Sequence, residues 1–336
     1  MNKLFHYEMV KVLACKAGME EDEAQTVAYA SQFADDCAPP AEFYLDSLPP
    51  GVKCAGLYNE ESRLFSPVRT AHKGLQYILS LARIEQFRVL LAFHFLPPGD
   101  FGGDEKSFRA QADGNLAGRL VNRAVNDLAE VNDCDMRQGR LIALGLALHS
   151  YADTWAHDDF SGIRQRYNKK NNCQVLRNGK WERDYCAGRF EIGHGESTSP
   201  DCNVTWRYRN RDSGEWVIKD NHARFLEAAN RIYCILCRVT KSDPDFSKLG
   251  TSIAKAFEID SPSAVFDDLV FDFNPNAWSK AALKIDVFKT VDRPSGQREW
   301  HYRLLGDRRW FLFQEAALAQ RNYILGHGTR TCEVGA

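Results

Sequence analysis

One stretch constrains this chain more than any other. Leu141 to Ala152 is its most apolar run, yet His149 sits inside it, Asp153 follows it directly, and His157 comes four residues later. At about 100° per residue these three side chains advance only about 40° per step, so they share one face of a helix expected over Met136–His157. Leu144, Leu148 and Trp155 surround that face, and uncompensated charge among them would be costly. Two imidazoles and a carboxylate at i, i+4 spacing form the nitrogen-plus-oxygen donor set of a zinc-like ion, and an ion would resolve the conflict. The competing account is a helix end entering solvent, with His149 a satisfied core histidine and Asp153 bonded to it.

The remainder of the chain is globular in character. At 336 residues it allows one large domain or two ordinary ones. The 43 Lys and Arg residues against 45 Asp and Glu give a net charge of −2, which supplies no general attraction to nucleic acid or an anionic membrane. Ten cysteines are too few for a disulfide scaffold; Cys173, Cys186 and Cys202 share one polar stretch and would pair only in an exported protein. His149 interrupts the longest apolar run well short of the roughly 18 residues of a membrane span. His6 and Glu8 stand where a signal peptide needs apolar residues, so the expected compartment is the cytoplasm.

Further helices are expected at Tyr7–Lys16, Asp22–Phe33, about 71–86, 116–131, 222–239, 246–257 and 307–324. Residues 37–70 read as loop, and Arg298–Arg303 as a polar strand-like patch. Residues 164–221 change composition. There Thr205–Tyr208 and Glu215–Ile218 flank Asp212-Ser213-Gly214 as a hairpin inside an insertion. The predicted fold class is mainly α, with a helical domain over 1–240 and a C-terminal helical extension over 241–336 packed on the same core.

Other candidate ligands lie in apolar or glycine-bracketed settings. His6 heads the first helix, Asp35 and Asp36 end the second, His94 lies in Phe93-His94-Phe95-Leu96-Pro97, and His194 lies in Gly193-His194-Gly195-Glu196. Together they offer enough donors for two or three ions. His72 competes with His94, whose apolar neighbours favour it; Asp35 and Asp36 are not separable; Asp201 competes with Glu196. Cys234 and Cys237 lie in an apolar helical run and read as core. Arg207, Arg209 and Arg211 read either as a solvated hairpin face or as a phosphate-meeting surface.

These residues carry a resemblance. The His-x3-Asp pair on an apolar helix, the later histidine, the early histidine, the aspartate at a helix end and the His-Phe motif resemble the zinc-dependent phospholipase C and single-strand-specific nuclease superfamily. Tyr29–Asp36, Thr70-Ala71-His72-Lys73, Phe93–Pro97 and His149–Gly162 look like an uncharacterised bacterial family related to those enzymes, over roughly residues 1–240. The resemblance implies a multi-helix bundle with a zinc cleft, holding one to three ions with two favoured. It assigns His149 and Asp153 to the centre, with Asp153 bridging two ions, Asp36 and His94 completing one site, His6 a second, and His157 with His194 and Glu196 or Asp201 a third. Asp153 and Asp36 are its catalytic carboxylates.

The chain departs from that superfamily by starting at Met1 rather than at a processed tryptophan, by a shorter Asp153–His157 spacing, and by placing Glu196 two residues after His194. The implied activity is hydrolysis of a phosphoester by metal-activated water, on a lipid headgroup, a nucleotide or a single-stranded nucleic acid. The alternatives are a metal-stabilised binding or structural protein and a hydrolase of a non-phosphate bond.

Overall fold

The helix that carries His149 and Asp153 is the axis of the molecule. In the computed structural model, which describes residues 1–328 apart from 103, 186–189, 196, 212 and 293–297, it spans Cys134–Ala156. The Asp133 carboxylate caps its N-terminus by accepting the Met136 backbone N–H at 2.9 Å. From Leu144 to Ala156 every side chain is buried, so this part of the helix (α5) is enclosed on all sides, while Cys134 and Met136 in its first turn are exposed. Gly145 permits the closest approach: a Cβ there would lie 2.2 Å from the carbonyl oxygen of Val27.

The elements around it follow the sequence pattern with local extensions. A π-helical segment, Leu4–Met9, runs into α1, Val10–Lys16, and α2 follows over Glu21–Asp36 after a turn in which Gly18 has φ +93°. α2 runs one turn past the expected end at Phe33, which puts Asp35 and Asp36 inside its last turn. A single turn, α3 (Arg83–Glu85), leads into a second π-helical segment, Gln86–His94. Helices α4 (Asn115–Ala129), α6 (Asn221–Thr240), α7 (Ser247–Glu258), α8 (Ala277–Ala282) and α9 (Arg309–Leu325) complete the set. α5 packs against α2, α4, α6 and α9 and contributes to two cores, Leu144 and Leu148 to one, Ile142 and Leu146 to the other.

The expected helix over 71–86 is replaced by a 3-10 segment, Gly74–Leu81. Gly74 takes φ +55° and Ala82 is extended, so the backbone breaks at both ends. Leu75, Tyr77 and Ile78 stay exposed, with no apolar face covering them.

Among the described residues, two small sheets flank the helices. The loop-rich stretch contributes β1 (Phe43–Leu45), β2 (Tyr58–Asn59) and β3 (Leu64–Phe65), which join β8 (Leu283–Asp292) and β9 (Arg298–Leu304) in the order β2-β3-β1-β9-β8. Strands of two or three residues are too short to show alternation, which is why they read as loop. The insertion is larger than one hairpin. β4 (Asn171–Arg177), β5 (Lys180–Arg183), β6 (Thr205–Arg209) and β7 (Trp216–Asp220) form an antiparallel sheet in the order β5-β4-β6-β7. The predicted hairpin is β6–β7, with Tyr208 opposite Val217. No helix among the described residues is long and apolar enough to cross a membrane.

Candidate metal centre

Both π-helical segments carry a histidine of the centre. The wider i→i+5 turn shifts side-chain phase and is common where a helix serves a site. His6 comes from Leu4–Met9 and His94 ends Gln86–His94, and both turn their rings toward the polar stripe of α5. His6 Nε2 lies 3.0 Å from Asp153 Oδ1. Asp153 Oδ2 lies 3.3 Å from His94 Nδ1 and from His149 Nε2, and the two ring nitrogens are 3.1 Å apart. Asp35, from the last turn of α2, brings Oδ1 to 3.6 Å from His94 Nδ1 and 3.8 Å from His149 Nε2.

At the end of α5 the insertion closes the other side. His157 Nε2 lies 3.1 Å from Asp201 Oδ1, and His194 Nε2 lies 3.2 Å from Asp201 Oδ2. The Met1 amine pairs with Asp153 and stands 3.4 Å from Asp201 Oδ1. Three groups thus have ligand atoms within 4.8 Å of one another: His6, His149 and Asp153; Asp35, His94 and His149; His157, His194 and Asp201. Asp153 is 2% exposed, whereas Asp35 and Asp201 keep 33% and 26% of their side chains open, so these two mark the solvent edge.

Burial sets the ionisation of the cluster. It pulls the His6 and His194 imidazoles below their usual range, His149 and the Met1 ammonium reinforcing this at His6. Burial also raises Asp35, against the pull of His149 and His94. At Asp153 and Asp201 the burial penalty is outweighed by the ammonium and the neighbouring imidazoles, which hold both carboxyls below the usual carboxylate range. At the Met1 amine, burial is outweighed by Asp153, Asp201 and Asp35, which raise it to about 10. At His94, burial is likewise outweighed by Asp153 and Asp35, and its pKa rises.

The donor set fits a divalent cation. Backbone carbonyls fix three tautomers: His94 Nε2 donates to Thr70 O at 2.8 Å, His157 Nδ1 to His94 O at 2.7 Å, and His194 Nδ1 to Ser197 O at 2.7 Å. The opposite nitrogen of each ring therefore faces a carboxylate oxygen, and when the ring is neutral it aims a lone pair there. Asp201 faces two such nitrogens, one on each oxygen, and burial holds the His194 imidazole below its usual range. A cation between them removes the repulsion. The three carboxylates face one ammonium, leaving two negative charges in excess when the imidazoles are neutral.

The structure brings together seven of the sequence-predicted residues: His6, Asp35, His94, His149, Asp153, His157 and His194. It separates Asp35 from Asp36, because neighbours on a helix point about 100° apart. Asp36 pairs with Lys73 and accepts from Gln32 at 3.1 Å, so it stands outside the three groups. His72 is likewise outside, bound to Glu85 at 3.0 Å. Asp201 occupies the acidic place for which Glu196 was its rival, and Glu196 lies outside the described residues. The Met1 amine is not among the predicted ligands, although the resemblance drew attention to that position; it pairs with Asp153 across 152 residues.

Comparison with curated proteins and with solved structures gives no match. A model described as Family of unknown function (DUF6765) matches residues 1–327, a span that takes in all three ligand groups and the C-terminal helices. The chain belongs to the DUF6765 family.

Proposed function

We propose that this protein is a metal-dependent hydrolase of phosphoesters, with zinc as the metal and a helical bundle of the phospholipase C and nuclease type. The observation that carries the reading is the convergence of imidazole nitrogens and carboxylates around Asp153 and Asp201. One divalent ion balances the excess negative charge, and a second leaves capacity for two anionic ligands. Bound zinc would supply Lewis acidity and activation of water.

The protein's own groups do the rest. Asp153 is shared among His6, His94 and His149 and ties the first two ligand groups together. The Thr70, His94 and Ser197 carbonyls hold three rings by their outward N–H, which leaves the inward nitrogen free to ligate. Asp35 and Asp201, partly open, face the side from which a substrate approaches.

The test is metal content by elemental analysis together with hydrolysis of bis(p-nitrophenyl) phosphate. The expected result is bound zinc, activity abolished by a chelator and restored by zinc, and loss of both in His149→Ala. A protein that holds zinc but hydrolyses no phosphodiester or phosphomonoester would overturn the catalytic reading. One that refuses zinc would overturn the metal centre itself.

A further inference from the structure

The antiparallel sheet of the insertion borders a second site that the metal centre does not use. A cavity of about 570 Å3 lies between the segment preceding α4, the segment preceding β4, and the end of β6. Seven of its lining residues are Lys or Arg, including Lys106, Arg109, Arg166, Lys170 and Arg211, against the carboxylates of Asp104 and Asp159. Both carboxylates are engaged. Asp104 caps a turn by accepting the Lys106 backbone N–H at 3.1 Å, and Asp159 pairs with Lys219 at 2.6 Å and accepts the Tyr208 hydroxyl at 3.2 Å. Lys106, Arg166, Lys169 and Arg211 have no carboxylate partner among the described residues.

A solvated basic rim would be the ordinary explanation, but Lys170 is buried, and Arg109, 39% exposed and 3.8 Å from Asp159, holds its Nε out of water. Lys170 is 7% exposed; its Nζ donates to Asp159 O at 3.0 Å and lies 4.7 Å and 4.8 Å from the ring centres of Phe160 and Tyr208. Burial brings its ammonium down to about 8, Arg109 and Lys219 reinforcing the fall that Asp159 opposes. The Arg109 guanidinium lies 4.4 Å over the Tyr167 ring, and its buried Nε has no hydrogen-bond partner. Holding like charges together and leaving a buried donor unmet are both costs that a bound anion removes.

We propose that this cavity binds a small anion carrying two adjacent phosphoryl groups, with Lys170 and Arg109 as its inner contacts and Arg166, Lys169 and Arg211 as its outer ones. A single carboxylate or phosphate would leave most of these cations uncompensated, and guanidinium forks match phosphate oxygens in pairs. The volume suits a ligand up to nucleotide size. The site is separate from the metal centre. Phe160, fully buried, stands between them with its ring 5.8 Å from that of His194 and 4.7 Å from Lys170 Nζ.

Titration calorimetry of the full chain with inorganic diphosphate and with ADP tests the proposal. A binding event is expected in wild-type protein that persists in His149→Ala, whatever that variant loses at the metal centre, whereas Arg166→Glu/Arg211→Glu, both exposed positions, weakens this persisting event by about tenfold or more. Arg177→Glu, an exposed charge reversal on the same sheet away from the cavity, is expected to leave binding unchanged. Equal affinity for the two probes assigns the site to the diphosphate alone; tighter ADP binding adds the nucleoside. Three results would overturn the proposal: no binding of either probe, equal weakening by Arg177→Glu, or loss in His149→Ala with the double variant unaffected.

Discussion

Asp153 Oδ1 faces His6 Nε2 at 3.0 Å across 147 residues of sequence, while its second oxygen faces His149 one turn away on the same helix. One carboxylate thus joins a ligand set from the start of the chain to one from its middle. Asp153→Asn removes the negative charge of this junction and replaces one oxygen with an NH2 group, which is a donor. The expected outcome is loss of at least one metal ion per chain and of phosphodiester hydrolysis, read by elemental analysis and assay. Full occupancy in the variant would remove Asp153 from the centre.

The two neighbouring aspartates of α2 are expected to behave differently. Asp35→Asn should lower metal content, because Asp35 faces His94 and His149. Asp36→Asn should leave metal content intact and cost about 1 kcal/mol or less, the range of a partly exposed ion pair such as that with Lys73. Metal analysis and urea melts of the two variants side by side distinguish them; the reverse pattern would exchange their roles.

Acid is expected to destabilise the metal-free protein. Burial depresses His6 and His194, so below about pH 6.5 the unfolded chain takes up protons that the folded chain refuses. Unfolding then binds protons, and stability falls as pH drops. Asp153 and Asp201, also held low, continue the trend below about pH 4, where the unfolded carboxylates protonate first. His94 is raised and works in the opposite sense, offsetting part of the histidine effect. Urea midpoints of chelated protein should decline from pH 7 to pH 5; a midpoint that rises on acidification contradicts the assignment.

Gly145 offers a test of the fold independent of any metal. A methyl group there would meet Val27 O at 2.2 Å and Ala30 Cβ at 2.8 Å, and both belong to α2, the helix that carries Asp35. Gly145→Ala gains intrinsic helix propensity yet must push α2 away, and overpacking of this kind costs about 1–3 kcal/mol. A lower thermal midpoint and weaker metal retention are expected together. A variant as stable as the parent would mean that the two helices are not packed this closely.

Where metal is bound, its removal should lower the melting temperature, because an ion held by the folded state alone stabilises it by mass action. Differential scanning calorimetry with and without chelator reads this directly, and an unchanged transition in a zinc-loaded sample would place the ion outside the fold.

His149 and Asp153 were legible as a pair because they lie on one helix, where the 3.6-residue period converts spacing into direction; His157, which caps that helix, joins His194 and Asp201 instead. The same logic placed most helices within a few residues and failed where elements were held by partners rather than by pattern. β1 to β3, two or three residues each, exist because β9 pairs with β1 in parallel. The apolar stretch Leu75–Leu81 looked helical because sequence records its hydrophobicity but not the absence of a face to cover it. By itself the sequence determined a mainly helical chain with a buried polar stripe and a pool of histidines and aspartates able to serve it. The tertiary structure decided which joined: Asp35 over Asp36, His94 over His72, and Asp201 in the third group. Periodicity is a property of neighbours along one element, whereas these choices depend on how α2, Gln86–His94 and the insertion pack around α5, a sum of many distant contacts that no local pattern contains.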